Sequence, residues 1–205
     1  NNVLSTVPLG RYSLDTLNQL VETQDSLDVP DIMIEGVREA YADFENFGRL
    51  EAADVFMDRY YFKHLRLIDR TTNQEVIHQT VNIMIDMENI TTLIRATKQK
   101  QSRSFLIGVL SSEGTVDKTL LIDEVLEKGT EALVDLYRHV PYYDKFVSIW
   151  EHWEHPVFAL ELLKEELIHQ ILEEATFEPF GPLPSLAYIH ALEMEVKNLR
   201  LLLVG

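Results

Sequence analysis

The sequence predicts an all-α protein. Apolar residues recur at three- and four-residue spacing through long runs, as the buried stripe of a helix requires. Eight glycines and seven prolines punctuate those runs. No stretch alternates convincingly between apolar and polar residues at period two, the pattern of a half-buried strand.

The elements follow in order. A first run comes after Gly10, with Leu14, Leu17, Leu20 and Val21. Ser13 suits its N-cap, because a hydroxyl there accepts an otherwise unpaired amide. Pro30 and Asp31 open a second helix carrying Ile34, Val37, Ala40, Tyr41 and Phe44. A third, after Gly48, runs through Leu50, Val55, Phe56, Tyr60 and Phe62 towards Leu67. The fourth covers about 73–98, with Val76, Ile83, Met87, Ile90 and Ile94 along one stripe. A loop at 111–114 precedes a helix with Leu120, Leu121, Val125 and Leu126. Thr130 opens another, with Leu133, Val134 and Tyr137, ending before Pro141. After Pro156, Leu160, Leu163, Leu167 and Ile171 stack on one face. A proline-rich rigid loop at 179–184 leads into a last helix over 185–204.

A chain of 205 residues makes one or two domains and buries a real core. Its 34 acidic and 18 basic residues give a net charge of −16. That balance speaks against nucleic acid, whose phosphates need a basic surface, and against docking on anionic lipid by charge. A basic protein partner is the easier fit. Cysteine is absent, which excludes disulfides, thiolate metal sites and cysteine nucleophiles. The longest stretch without a charged residue, 179–192, contains Pro179, Pro182 and Pro184. It falls short of the roughly 20 apolar residues of a membrane span. The chain opens without methionine and ends on Leu-Leu-Leu-Val-Gly, so a piece of a longer protein is expected.

Two segments look alike. Asp86-Met-Glu-Asn89-Ile90 and Glu195-Val-Lys-Asn198-Leu199 share the order acid, two residues, asparagine, aliphatic, and the asparagines stand 109 positions apart (198 − 89). Gly10 and Gly114, each ahead of a short helix, stand 104 apart (114 − 10). Two repeat units, 1–103 and 104–205, account for the chain. A polar pair one turn apart at the same place in both units either bonds a neighbouring helix end or lines a shared surface. The first is the commoner use.

The chemical motifs are few. Glu75-Val-Ile-His78 and Glu166-Leu-Ile-His169 match the Glu-x-x-His element of helical di-iron sites, which makes a di-iron carboxylate protein the alternative reading. Glu75 and His78 continue into Asn82, Asp86 and Asn89, a polar stripe expected to face water rather than a core site. His152 and His155 lack the zincin pattern, and Trp150, Trp153 and Pro156 beside them suggest a packed corner. Arg95, Lys98, Lys100 and Arg103 gather where the fourth helix ends, where cations suit the helix dipole. No glycine-rich phosphate loop and no Gly-x-Ser-x-Gly elbow occurs, so no catalytic, cofactor or metal residue is expected.

Tyr60-Tyr-Phe, Asp86-x-Glu-Asn-Ile and Ala187-Tyr-Ile-x-x-x-Glu193-x-Glu-x-x-Asn-Leu-Arg200 together resemble the C subunit of the V-type/A-type ATPases, the counterpart of the eukaryotic d subunit. The resemblance spans essentially the whole chain. It implies three similar helical units around a pseudo-threefold axis, forming a funnel or socket. Here 1–103 and 104–205 are the second and third units, with the first missing. It also implies a non-catalytic coupling role between the central-stalk subunits and the membrane rotor ring. ATP hydrolysis or synthesis is thereby linked to proton or sodium transport, on the cytoplasmic face of the membrane and attached only through the complex. Asp86, Glu88, Asn89, Glu193, Glu195 and Asn198 are then candidates to line the stalk socket.

Overall fold

Helices joined by short connectors account for nearly all the described residues, and no strand occurs among them. The computed structural model describes residues 11–47, 57–175 and 181–204. Gly10, Gly48, Leu50, Val55, Phe56 and Pro179, named above, lie outside them.

Helix α1 (Leu14–Thr23) starts where Ser13 Oγ accepts the Thr16 amide at 3.1 Å and stops at Gln24, which turns left-handed (φ 54°). Helix α2 is Asp31–Phe47. Helix α3 opens as a π-helical segment, Met57–Phe62, and continues as an α-helix over Lys63–Thr72. Asn73 (φ 48°) breaks the chain before α4 (Glu75–Lys98). Helix α5 is Arg103–Val109, capped by Ser102. Helix α6 is Lys118–Lys128, its first amides held by Asp117, and it ends at Gly129 with φ 86°. Helices α7 (Ala132–Leu136), α8 (Tyr143–His152), α9 (Pro156–Ala175) and α10 (Leu183–Val204) complete the described chain.

Over the described residues the expected helices form, with two additions the periodicity passes over. Helix α5 spans two turns, too short for a periodic signal. Helix α8 buries only Phe146 and Ile149, and Trp150 with Trp153 just beyond its end reads as a corner instead. The last helix begins two residues early and takes in Pro184, which the first turn tolerates because its amide has no intrahelical partner.

The chain forms two compact units, Asn1–Thr72 with Leu183–Gly205, and Asn73–Pro182. In the first, α10 packs on α1 and α3, and α2 packs on α1 and on the π-helical segment. Leu17, Leu20, Met33, Val37, Tyr60, Leu65, Leu192 and Leu199 fill its interior. In the second, α4 and α9 are the principal packed pair, with α5 to α8 following one another around them. Met87, Ile90, Leu93, Leu106, Leu121, Leu133, Phe146 and Leu160 belong to its core. Compactness and sequence repetition divide the chain differently. Helix α4 falls in the expected repeat 1–103 but packs within the second compact unit.

Helix α4 is buried nearly all round: Thr80, Asp86, Asn89 and Thr91 join its apolar residues in the interior. This corrects the expectation of a solvated polar stripe. Glu75 and His78 are exposed at its start, Asn82 is half-buried, and Asp86 and Asn89 are enclosed. The stripe runs from water into the protein.

Phe146 is fully buried, its ring 4.7 Å from Trp150 and 5.7 Å from Tyr137 between centroids. Phe146→Ala should therefore destabilise the chain by about 3–5 kcal/mol in denaturant titration. A loss below about 1 kcal/mol would show that α8 is not integral to the core.

Candidate functional site

Asp86 and Asn89 stand one turn apart on α4, 1% and 2% exposed. A carboxylate taken out of water needs replacement donors, and the loop after α5 supplies them. Thr115 donates its amide to Asp86 Oδ1 at 2.8 Å and its hydroxyl to Oδ2 at 2.6 Å. The Asn89 side chain and the Ser111 backbone exchange both hydrogen bonds. Nδ2 donates to the Ser111 carbonyl at 3.0 Å, and Oδ1 accepts its amide at 2.8 Å. The loop lies so close that a Cβ on Gly114 would stand 2.9 Å from Asp86 Oδ1 and 3.0 Å from Asn89 Nδ2. Only glycine fits there without a shift.

His139 Nε2 lies 3.0 Å from the Thr115 hydroxyl. Since that hydroxyl spends its proton on Asp86, it accepts from His139, which assigns the ring proton to Nε2. Burial pushes the Tyr137 and Tyr142 phenols up, and the Asp86 charge adds to both.

The first unit has a parallel arrangement. Glu195 and Asn198 on α10 are 0% and 2% exposed. Glu195 Oε1 accepts the Arg11 amide at 2.6 Å and Arg11 Nε at 3.0 Å, and Oε2 accepts a terminal guanidinium nitrogen at 3.2 Å. This is the bidentate geometry that makes arginine–carboxylate pairs strong. The guanidinium lies over the Tyr188 ring, 4.3 Å from its centroid, and donates to the Tyr188 hydroxyl at 2.6 Å. That hydroxyl is left to donate to His64 Nε2 at 3.2 Å. The His64 proton then belongs on Nδ1, which is buried without a partner among the described residues. His64 also meets Tyr60, from the π-helical segment, edge to face at 5.6 Å. In both units the carboxylate holds the amide of the residue after a glycine, Gly114 or Gly10.

A groove of about 620 Å³ opens in the second unit. Glu75, His78, Gln79 and Asn82 of α4 line one side, His139, Tyr142, Asp144 and Lys145 another, and Gln170 and Glu174 of α9 a third. Asp86 and Thr115 are at its wall. Four carboxylates face one ammonium, and Lys145 is already held by Glu166 at 2.7 Å. Such a lining suits a cationic or amide-bearing group and repels phosphate.

The Glu-x-x-His motifs do not converge. Glu75 and His78 line the groove, whereas Glu166 turns to Lys145 and His169 pairs with Glu173 at 3.2 Å in solvent. Among the described residues no group of three His, Asp or Glu side chains can hold a metal ion. Of the six candidate socket residues, Asp86, Asn89, Glu195 and Asn198 are enclosed, and Glu88 and Glu193 are half-buried. Glu193 pairs with Lys197 at 3.1 Å. The corner expected at Trp150 and Trp153 is half right: Trp150 packs on Phe146, but Trp153 is 47% exposed. In the basic cluster, Arg95 pairs with Glu161 and Arg103 with Asp123. Sequence reasoning missed Arg11, Ser111, Thr115, His139 and Tyr188. The one signal pointing to them was the pair of glycines beside which Arg11 and Thr115 stand.

The chain belongs to the ATP synthase (C/AC39) subunit family, whose model matches residues 3–205. It is 32% identical over 197 residues to the C subunit of the V-type sodium ATPase of Enterococcus hirae, covering 96% of this chain and 60% of that protein. It is 22% identical over 214 residues to the C subunit of the A-type ATP synthase of Methanocaldococcus jannaschii, covering 97% and 53%. The chain therefore spans somewhat over half the length of these relatives. No solved structure matches it. Among the described residues no helix is long and apolar enough to cross a membrane.

The buried contacts can be tested through stability. Asp86→Ala leaves the Thr115 amide without its acceptor and should cost about 3 kcal/mol, and Gly114→Ala about 1–3 kcal/mol through crowding. Denaturant midpoints check both, and unchanged midpoints would show that the loop is held by something else. A second prediction concerns His64, whose pKa burial lowers from its ordinary 6.5, with the Arg11 charge acting the same way. As pH falls through 6.5 the unfolded chain takes up this proton before the folded one does, so stability falls. Between pH 6.5 and 5 the parent chain should lose more stability than His64→Gln; parallel curves would contradict this.

Proposed function

We propose that the chain acts as a non-catalytic coupling part of a rotary V-type/A-type ATPase. In this reading it joins the central stalk to the membrane rotor ring and so links ATP hydrolysis or synthesis to proton or sodium transport. The family match over residues 3–205 carries the proposal, and the names of the two relatives support it. Units 1–103 and 104–205 are read as the second and third of three around a pseudo-threefold socket. The protein would sit at the cytoplasmic face of the membrane, attached only through the complex and without contact to nucleic acid.

Physical features agree with this role. The net charge of −16 steers a basic shaft and sharpens its orientation on approach. Of the six socket candidates, Glu88 and Glu193 are the ones a stalk can reach directly. Asp86, Asn89, Glu195 and Asn198 then shape the lining from behind. Among the described residues the two Glu-x-x-His motifs of the di-iron alternative do not converge.

The test is reconstitution of the full-length protein with stalk and ring. Adding it should convert uncoupled ATP hydrolysis into ion pumping, and ion pumping of equal yield without it would overturn the proposal. Glu88→Lys with Glu193→Lys should weaken stalk binding at least about five-fold at low salt. Unchanged affinity would remove these residues from the socket.

A further inference from the structure

The segment Glu151-His-Trp-Glu-His155 joins α8 to α9 and takes no part in the buried contacts or the groove. Trp153 is 47% exposed and Phe158, in the first turn of α9, is 59% exposed. Their ring centroids are 6.4 Å apart. Leu162 follows Phe158 by four residues, hence on the same helix face, and is 49% exposed. Single exposed apolar residues are ordinary. A tryptophan against a phenylalanine brings together two residue types enriched at interfaces, and a leucine one turn on widens the apolar surface.

Acidic residues flank these three in sequence, and the nearby Glu161 is paired with Arg95. Glu151, Glu154 and Glu165 are exposed and make no ion pair among the described residues. The apolar centre requires an apolar covering, while the carboxylates repel an anionic lipid surface and attract lysine and arginine. We propose that this patch docks a basic amphipathic protein segment. An apolar side chain of the partner covers Trp153 and Phe158, and its cations meet Glu151, Glu154 and Glu165. An arginine there has a further attraction, to the exposed indole face. This rests on the surface of the second unit alone and stands apart from the socket reading.

The test titrates the whole chain with two helical peptides of about 16 residues that share one leucine stripe and carry either lysine or glutamate beside it. Phosphatidylglycerol vesicles serve as the lipid comparison, and labelled-peptide anisotropy reads binding. The lysine peptide should bind at least about ten-fold more tightly than the glutamate peptide. Phe158→Ser, and Glu151→Gln with Glu154→Gln and Glu165→Gln, should each weaken it at least about five-fold. Because these side chains are exposed, melting temperature should stay constant. If Phe158→Ser melts early, Trp153→Ser reads the same surface. Equal binding of the two peptides, lysine-peptide affinity that survives both variants, or preference for the vesicles would each overturn the proposal.

Discussion

A buried carboxylate that accepts the backbone amide of a loop is the contact on which each unit depends. Asp86 and Glu195 sit on the most enclosed faces of α4 and α10, 1% and 0% exposed, where an uncompensated charge would cost several kcal/mol. The cost is offset only if the loop donors arrive at the right distance. The acid therefore fixes the loop, and the loop fixes the start of the short helix behind it. In the second unit the sequence runs from α4 to Thr115 and then to Asp117, which caps α6. In the first, Glu195 holds Arg11, and Ser13 two residues later caps α1.

The two contacts use different chemistry to the same end. Thr115 offers an amide and a hydroxyl to the second unit's carboxylate. Arg11 brings a full positive charge, stacks on Tyr188 and extends the network to His64 and Tyr60. The first unit thereby acquires a titrating group in its interior. The Tyr60 phenol, pushed up by burial and by the Glu195 charge, stays protonated throughout the physiological range.

All-α architecture was legible because it depends on local spacing. Ser13 was readable as a cap, and Leu160, Leu163 and Leu167 as a buried stripe, from neighbours within one or two turns. Asp86 and Asn89 were readable as a matched pair with Glu195 and Asn198. Their burial was not, since an acid on a helix looks solvated until its donor is found. Thr115 is 29 residues away and Arg11 is 184 from Glu195, distances no periodicity spans. Trp153 failed for the converse reason: tryptophan predicts a packed corner, and here the corner closes with its ring outside. Family membership rests on the whole pattern, whereas contacts with stalk or ring depend on surfaces whose partners are other chains.

Amide hydrogen exchange at Thr115 and Arg11 tests the central claim most directly. Both amides lie in loops, where exchange is ordinarily fast. If the buried carboxylates organise the units, these two amides exchange as slowly as those of α4 and α10, through global unfolding. Exchange at the rate of neighbouring loop amides such as Ser112 would contradict the account.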